Sequence, residues 1–149
     1  MLALFALICA TALLAACAAE NKPEISDKPL EETPVNATVK IVDLMEGAGD
    51  PAQPGDTVQV NYTGWLYENG KRGTQFDTSI GKKPFEVTIG KTGVIKGWTQ
   101  GLVGMKIGGK RQLIIPPELA YGAEGVPPVI PPSSTLEFEI DVLRMAKAQ

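Results

Sequence analysis

The chain has 149 residues, enough for one domain of ordinary size. Its 14 basic and 17 acidic residues give a net charge of −3, with no long run of either sign, so nothing favours a nucleic-acid partner. Histidine is absent, and both cysteines, Cys9 and Cys17, fall at the very start. The usual general base, the usual metal ligand and the usual partner of a Ser or Cys nucleophile are therefore missing. Neither a metal centre nor a cofactor is expected.

Met1 to Ala16 (MLALFALICATALLAA) is an uncharged apolar run, too short for a comfortable transmembrane helix. It resembles a bacterial lipoprotein signal, with Leu14-Ala15-Ala16 as the cleavage box and Cys17 as the residue whose sulfur receives the lipid. The resemblance implies export and a membrane-anchored protein facing the periplasm. Ala18, in place of an aspartate after the cysteine, points towards the outer membrane. Such signals carry Lys or Arg before the apolar run, whereas here only the Met1 α-amino group is positive. An ordinary secretory signal with a coincidental cysteine is the alternative. Residues 17–36 are polar, acidic and proline-punctuated, which reads as a flexible tether to a domain at 37–149. No amphipathic arm for dimerisation precedes that domain, and a monomer is expected.

Thr38 to Leu44 is β-branched and suits a first strand. Gly47 to Gly55, with Pro51 and Pro54, breaks it. Val58, Val60 and Tyr62 then alternate with Gln59 and Asn61, the period of a half-buried strand. Tyr67 to Gln75 reads as a loop turning at Asn69-Gly70. Phe85, Val87 and Ile89 mark another strand. Val94 to Met105 is the one convincing helix, with Ile95, Trp98 and Leu102 on one face. Its interior glycines cost roughly 1 kcal/mol each, so packing must hold it. Arg111 to Ile115 is a short strand stopped by Pro116-Pro117. Finally Leu136, Phe138, Ile140 and Val142 alternate with Glu137, Glu139 and Asp141. These elements make an α+β domain: an antiparallel, twisted sheet of five or six strands wrapped around one short helix.

Several segments in order give the domain a signature: Val60 to Gly64 (VNYTG), Phe76 to Ser79 (FDTS), Gly90 to Trp98 (GKTGVIKGW), Pro117 to Gly122 (PELAYG), Ile130-Pro131-Pro132 and Leu136 to Ile140 (LEFEI). Together they resemble the FKBP family of peptidyl-prolyl cis-trans isomerases over residues 38 to 145. The resemblance implies an enzyme that accelerates rotation about X–Pro bonds in proline-containing polypeptides. It also implies inhibition by rapamycin-like macrolides. Carried onto this chain, Trp98 would floor the pocket, Tyr62, Phe85 and Phe138 would wall it, and Phe76, Val94 and Ile130 would complete the substrate site. The Ile95 N–H and the Tyr121 hydroxyl would hold substrate carbonyls, with Asp77 beside the twisting amide or ordering Tyr62.

The chain departs from the family pattern in three places. The Leu66–Phe76 stretch is longer than in compact members. The 78–83 stretch is shorter and lacks the arginine often paired with the aspartate, a place Lys82 or Lys83 could take. Val126 and Pro127-Pro128 alter the flap over the pocket. Two other functions fit the same residues. One is a non-catalytic folding helper that holds proline segments, and the other is a structural envelope lipoprotein.

Overall fold

The computed structural model describes residues 37–149; the expected signal, the tether and Cys17 lie outside the described residues. Among the described residues six strands, β1 (Lys40–Met45), β2 (Thr57–Glu68), β3 (Lys71–Thr78), β4 (Phe85–Thr88), β5 (Lys110–Ile115) and β6 (Leu136–Ala146), pair antiparallel throughout in the order β1-β5-β6-β2-β3, with β4 beside β2. β1 (Lys40–Met45) is an edge strand, exposed along its length. β2 (Thr57–Glu68) carries Val58 and Val60 inward, both fully buried, as their alternation predicts. It is long enough to take two partners on one side. Its second half pairs with β3 (Lys71–Thr78) and its first half with β4 (Phe85–Thr88).

The expected loop at Tyr67–Gln75 is instead a tight hairpin. Asn69 and Gly70 take φ of 50° and 76°, the left-handed pair that a two-residue turn between twisted strands requires. Tyr67 pairs with Arg72 and Glu68 with Lys71 across it. The strand character was hidden because Lys71 to Gln75 is exposed throughout and needs no apolar alternation.

α1 (Lys96–Leu102) is shorter than the expected Val94–Met105. Ile95 already has extended backbone (φ −58°, ψ 148°), and Val103 returns to it (φ −60°, ψ 133°), so the apolar spacing outruns the helix at both ends. Trp98 and Leu102 face the core, and the glycines explain how. A Cβ on Gly97 would overlap Ile115 Cγ2, and one on Gly101 would overlap Leu113 Cδ1. The helix thus lies against β5 (Lys110–Ile115) at a distance only glycine permits, and this contact offsets the glycines' poor helix propensity.

β5 ends before Pro116-Pro117 as expected, a short 3-10 helix (Pro117–Leu119) comes next, and β6 (Leu136–Ala146) closes the sheet between β5 and β2. Leu136, Phe138, Ile140 and Val142 point inward, as their spacing demands. On the opposite face Glu137, which alternates with the inward residues, is nonetheless only 2% exposed. Arg72 covers it, with Nε at 2.7 Å and Nη2 at 2.5 Å from its Oε1, and Gln112 Nε2 donates to the same oxygen at 2.8 Å. The guanidinium carbon sits 3.8 Å from the centre of a Trp65 ring. Alternation fixed the face on which Glu137 sits, but not what the hairpin lays over it.

Candidate active site

Where β2 changes partner from β4 to β3, Asn61 and Tyr62 keep a strand partner only on the β6 side. Thr63 pairs with Thr78 and Val60 with Phe85, so Tyr62 stands at the break. Facing it from across the core is the start of α1. A cavity of about 200 Å³ opens between them. β2 contributes Tyr62, β3 contributes Phe76 and Asp77, and β4 contributes Phe85. Gly93, Val94 and Ile95 supply the approach to the helix, α1 supplies Trp98, β6 supplies Phe138, and the loop after the 3-10 helix supplies Tyr121.

Trp98 is 4% exposed and meets its neighbours edge-on. Its ring lies 5.0 Å from Tyr62 at 81°, 5.3 Å from Phe138 at 88° and 6.0 Å from Phe85 at 81°. Phe76 stands perpendicular to Phe138 at 5.5 Å. Such T-shaped contacts match positive ring edges to negative faces and hold the rings rigidly without filling the space between them. The walls are therefore preformed and apolar.

The rim is polar and arranged to donate. Tyr62 Oη donates to Asp77 Oδ2 at 2.5 Å, and the Thr78 N–H donates to Asp77 Oδ1 at 2.8 Å. Burial first, and then the Asp77 carboxylate, push the Tyr62 hydroxyl well above its ordinary pKa. Tyr121 is raised by the same two causes in the same order. Both phenols stay protonated. Among the described residues, neither the Tyr121 hydroxyl nor the Ile95 N–H has a hydrogen-bond partner, so both are free to hold a ligand. Lys82 Nζ reaches only 4.0 Å from Asp77 Oδ1, with both side chains largely in solvent, and it orders the aspartate little.

Nine of the ten residues singled out from the sequence for this pocket line one cavity. Ile130 does not. It is buried in the core at 4% exposure and closes a turn with Val126 through two backbone hydrogen bonds of 2.8 and 2.9 Å. Gly93, which sequence reasoning missed, takes a place in the wall. Its signal was its place in the signature segment Gly90–Trp98, directly before Val94 and Ile95. A second cavity, of about 240 Å³, is lined by the ion pairs Arg111–Asp43 and Lys106–Glu46 and has no aromatic residue in its lining.

A rigid apolar box with unpaired donors at its lip, its one carboxylate (Asp77) already bonded by the Tyr62 hydroxyl and the Thr78 N–H, suits a reaction that moves no protons: rotation of an amide. Fold and cavity together define a prolyl isomerase. The family model of the FKBP-type peptidyl-prolyl cis-trans isomerase matches residues 49–143. An FK506-binding protein of Neisseria meningitidis serogroup B is 51% identical over 106 residues, covering 70% of this chain and 94% of that protein. The 39 kDa FK506-binding nuclear protein of Drosophila melanogaster is 47% identical over 108 residues, 72% of this chain and 29% of its own length. The crystal structure of FkpA from Escherichia coli superposes with a TM-score of 0.64 at 42% identity, covering 74% of this chain and 49% of that one. The chain belongs to the FKBP family and is an FKBP-type peptidyl-prolyl cis-trans isomerase.

Proposed function

We propose that the cavity over Trp98 takes the prolyl ring of an extended polypeptide and releases it as the other isomer. Resonance gives the peptide bond a rotational barrier of about 18–20 kcal/mol. At X–Pro the two isomers differ by only about 0.5–1 kcal/mol, yet exchange takes tens to hundreds of seconds. As the amide twists, resonance is lost and its carbonyl carries less negative charge. A dry aromatic enclosure favours that less polar form over the planar amide, which is better solvated by water. This is binding that strengthens only at the transition state, the kind that accelerates. The Ile95 N–H and the Tyr121 hydroxyl hold carbonyls on either side, so that one segment turns against a fixed one.

The observation that carries this reading is the Trp98-floored cavity with two unpaired donors at its rim. The test is exchange of a short X–Pro peptide, with and without FK506 or rapamycin. These macrolides should compete for the cavity, in keeping with the names of the similar FK506-binding proteins. Catalysis insensitive to either compound would remove the cavity from the mechanism.

The clients we infer are exported or envelope proteins. This rests on residues 1–16, which read as a lipoprotein signal, and on residues 17–36, which read as a tether behind a lipidated Cys17 facing the periplasm, at the outer membrane. Expressed in a bacterial host, the chain should fractionate with membranes, and Cys17→Ser should release it. A soluble wild-type chain would sink the anchor and leave the isomerase intact.

A further inference from the structure

We propose that Ser79 is a positioning residue for isomerisation: its hydroxyl and backbone clamp the main chain of Tyr62 and so aim the Tyr62–Asp77 pair at the cavity. The inference rests on the reading of the Trp98 cavity as the site of catalysis.

Tyr62 lies at a gap in the sheet. On one side it faces Ile140 of β6; on the other, β4 ends its pairing at Val60 and β3 begins at Thr63. No strand is available to take the Tyr62 main-chain groups that point into this gap, and a buried orphan N–H or C=O is costly. Ser79 fills the place. The Tyr62 N–H donates to Ser79 Oγ at 2.9 Å, and the Ser79 N–H donates to the Tyr62 carbonyl at 2.9 Å. One residue thus imitates both halves of a ladder pair, its side-chain oxygen standing in for a carbonyl.

The clamp is itself held. Ser79 is 5% exposed, its hydroxyl lies 3.4 Å from Asn61 Oδ1, and its carbonyl accepts the Lys82 N–H at 2.9 Å. Thr78 Oγ1 adds a 3.1 Å bond to the Tyr62 carbonyl and lies 2.9 Å from Thr63 Oγ1. Fixing the Tyr62 main chain in this way fixes the site beyond it. The Tyr62 ring is 5.0 Å from Trp98, and its hydroxyl holds one oxygen of Asp77 while the amide next to Ser79 holds the other. Ser79 is not itself a lining residue of the cavity and acts only through these groups.

Ser79→Ala leaves the Tyr62 N–H without its acceptor and lets water into the gap. The Trp98 floor and the Phe138 wall stay in place, so binding of the prolyl ring should persist while the aim of Tyr62 loosens. In X–Pro peptide exchange, kcat should fall about fivefold, the size one lost hydrogen bond gives. KM, and the Kd for FK506, should stay within about twofold, since uniform binding is untouched. Ser79→Thr, which keeps the oxygen, should recover kcat. In a Tyr62→Phe background, Ser79→Ala should add almost nothing, because the pair it aims is already broken. Ser79→Cys is near in size with a weak acceptor and should show the same kcat loss if the alanine form does not fold. A folded Ser79→Ala with full kcat overturns the clamp, and so does an equal loss in the Tyr62→Phe background. Full activity of Tyr62→Phe alone would overturn the clamp as well, since the pair it aims would then not matter, whereas wild-type exchange insensitive to FK506 would overturn the reading of the Trp98 cavity as the catalytic site.

Discussion

Gly64 faces Phe138 across the β2–β6 ladder, and a Cβ built on it would stand 2.7 Å from Phe138 Cε1 and 2.6 Å from Phe76 Cζ. Two aromatic walls of the cavity therefore rest on a bare backbone. Gly64→Ala must push one ring or both away from their T-shaped contact. Overpacking of this kind costs about 1–3 kcal/mol. The denaturation midpoint should drop, and X–Pro exchange should slow because Phe138 can no longer hold its angle to Trp98. An alanine variant that matches wild type in both measurements would show that the walls have slack.

Asp77 offers a cleaner separation of activity from stability, because its side chain is 46% exposed and buries little on folding. Asp77→Val removes the acceptor of the Tyr62 hydroxyl without opening a cavity in the core. A hydrogen bond to a charged group is worth about 1.5–3 kcal/mol, so exchange should slow by about ten- to a hundredfold while thermal unfolding stays cooperative. Phe138→Ala is the contrasting case. Its ring is buried, and its loss should cost about 3–5 kcal/mol as well as activity. Full exchange activity in both variants would refute the site assignment.

The sheet was legible wherever one face is buried and the other wet, as at Val58–Val60 or Leu136–Val142, because burial stamps a period of two on the residues. It was illegible at Lys71–Gln75, exposed throughout, where the turn at Asn69-Gly70 was visible but the strand after it was not. The ends of α1 escaped for a related reason. Ile95 is half-buried without being helical, so its apolar character says nothing about its backbone. The cavity residues were legible by likeness to a family, not by chemistry, since an inward Trp or Phe looks the same in a core as in a binding site. Ser79 and Gly93 fall inside the signature segments Phe76–Ser79 and Gly90–Trp98, but no periodicity of burial marks either one. Their roles depend on where β2 changes partner and how the chain enters the helix.

Activity should be flat across about pH 6 to 9, the range in which a histidine would titrate and none is present. The rim phenols sharpen this expectation. Burial raises the folded-state pKa of Tyr62 and Tyr121 above the unfolded value of about 10. The protonated form is thus favoured in the folded protein. Stability is unaffected below that value and falls as pH rises above it, when folding must keep a proton the unfolded chain would lose. Asp56 works in the opposite direction. Hydrogen bonds from the Ala148 and Gln53 N–H groups hold its carboxyl below the ordinary value. Its contribution is present above about pH 4 and lost as acid protonates it. Unfolding midpoints measured from acid to alkali should therefore fall at both ends, and Asp56→Asn should flatten the acid limb. A bell-shaped rate profile centred near neutrality would show that proton transfer takes part in the reaction and would overturn rotation in an apolar enclosure as the mechanism.

The Arg72–Glu137 pair allows stability to be lowered without touching catalysis. Successive residues of a strand point to opposite faces, so Glu137 projects away from the cavity that Phe138 walls. Removing Arg72 leaves a carboxylate 2% exposed with only Gln112 to bond it. Arg72→Met should cost roughly 1–3 kcal/mol for the unsatisfied group, and the salt-screened pair with Glu139 adds little to that. The double variant Arg72→Met/Glu137→Leu, which removes both charges, should recover most of the loss, because an apolar pair avoids the desolvation that the ion pair incurs. Throughout, kcat/KM of the folded protein for an X–Pro peptide should remain within about twofold of wild type, since no cavity wall moves. If kcat/KM falls in step with stability instead, the hairpin that Arg72 anchors also sets the position of Phe76 and Asp77 on the same strand, and the two faces of the sheet are coupled.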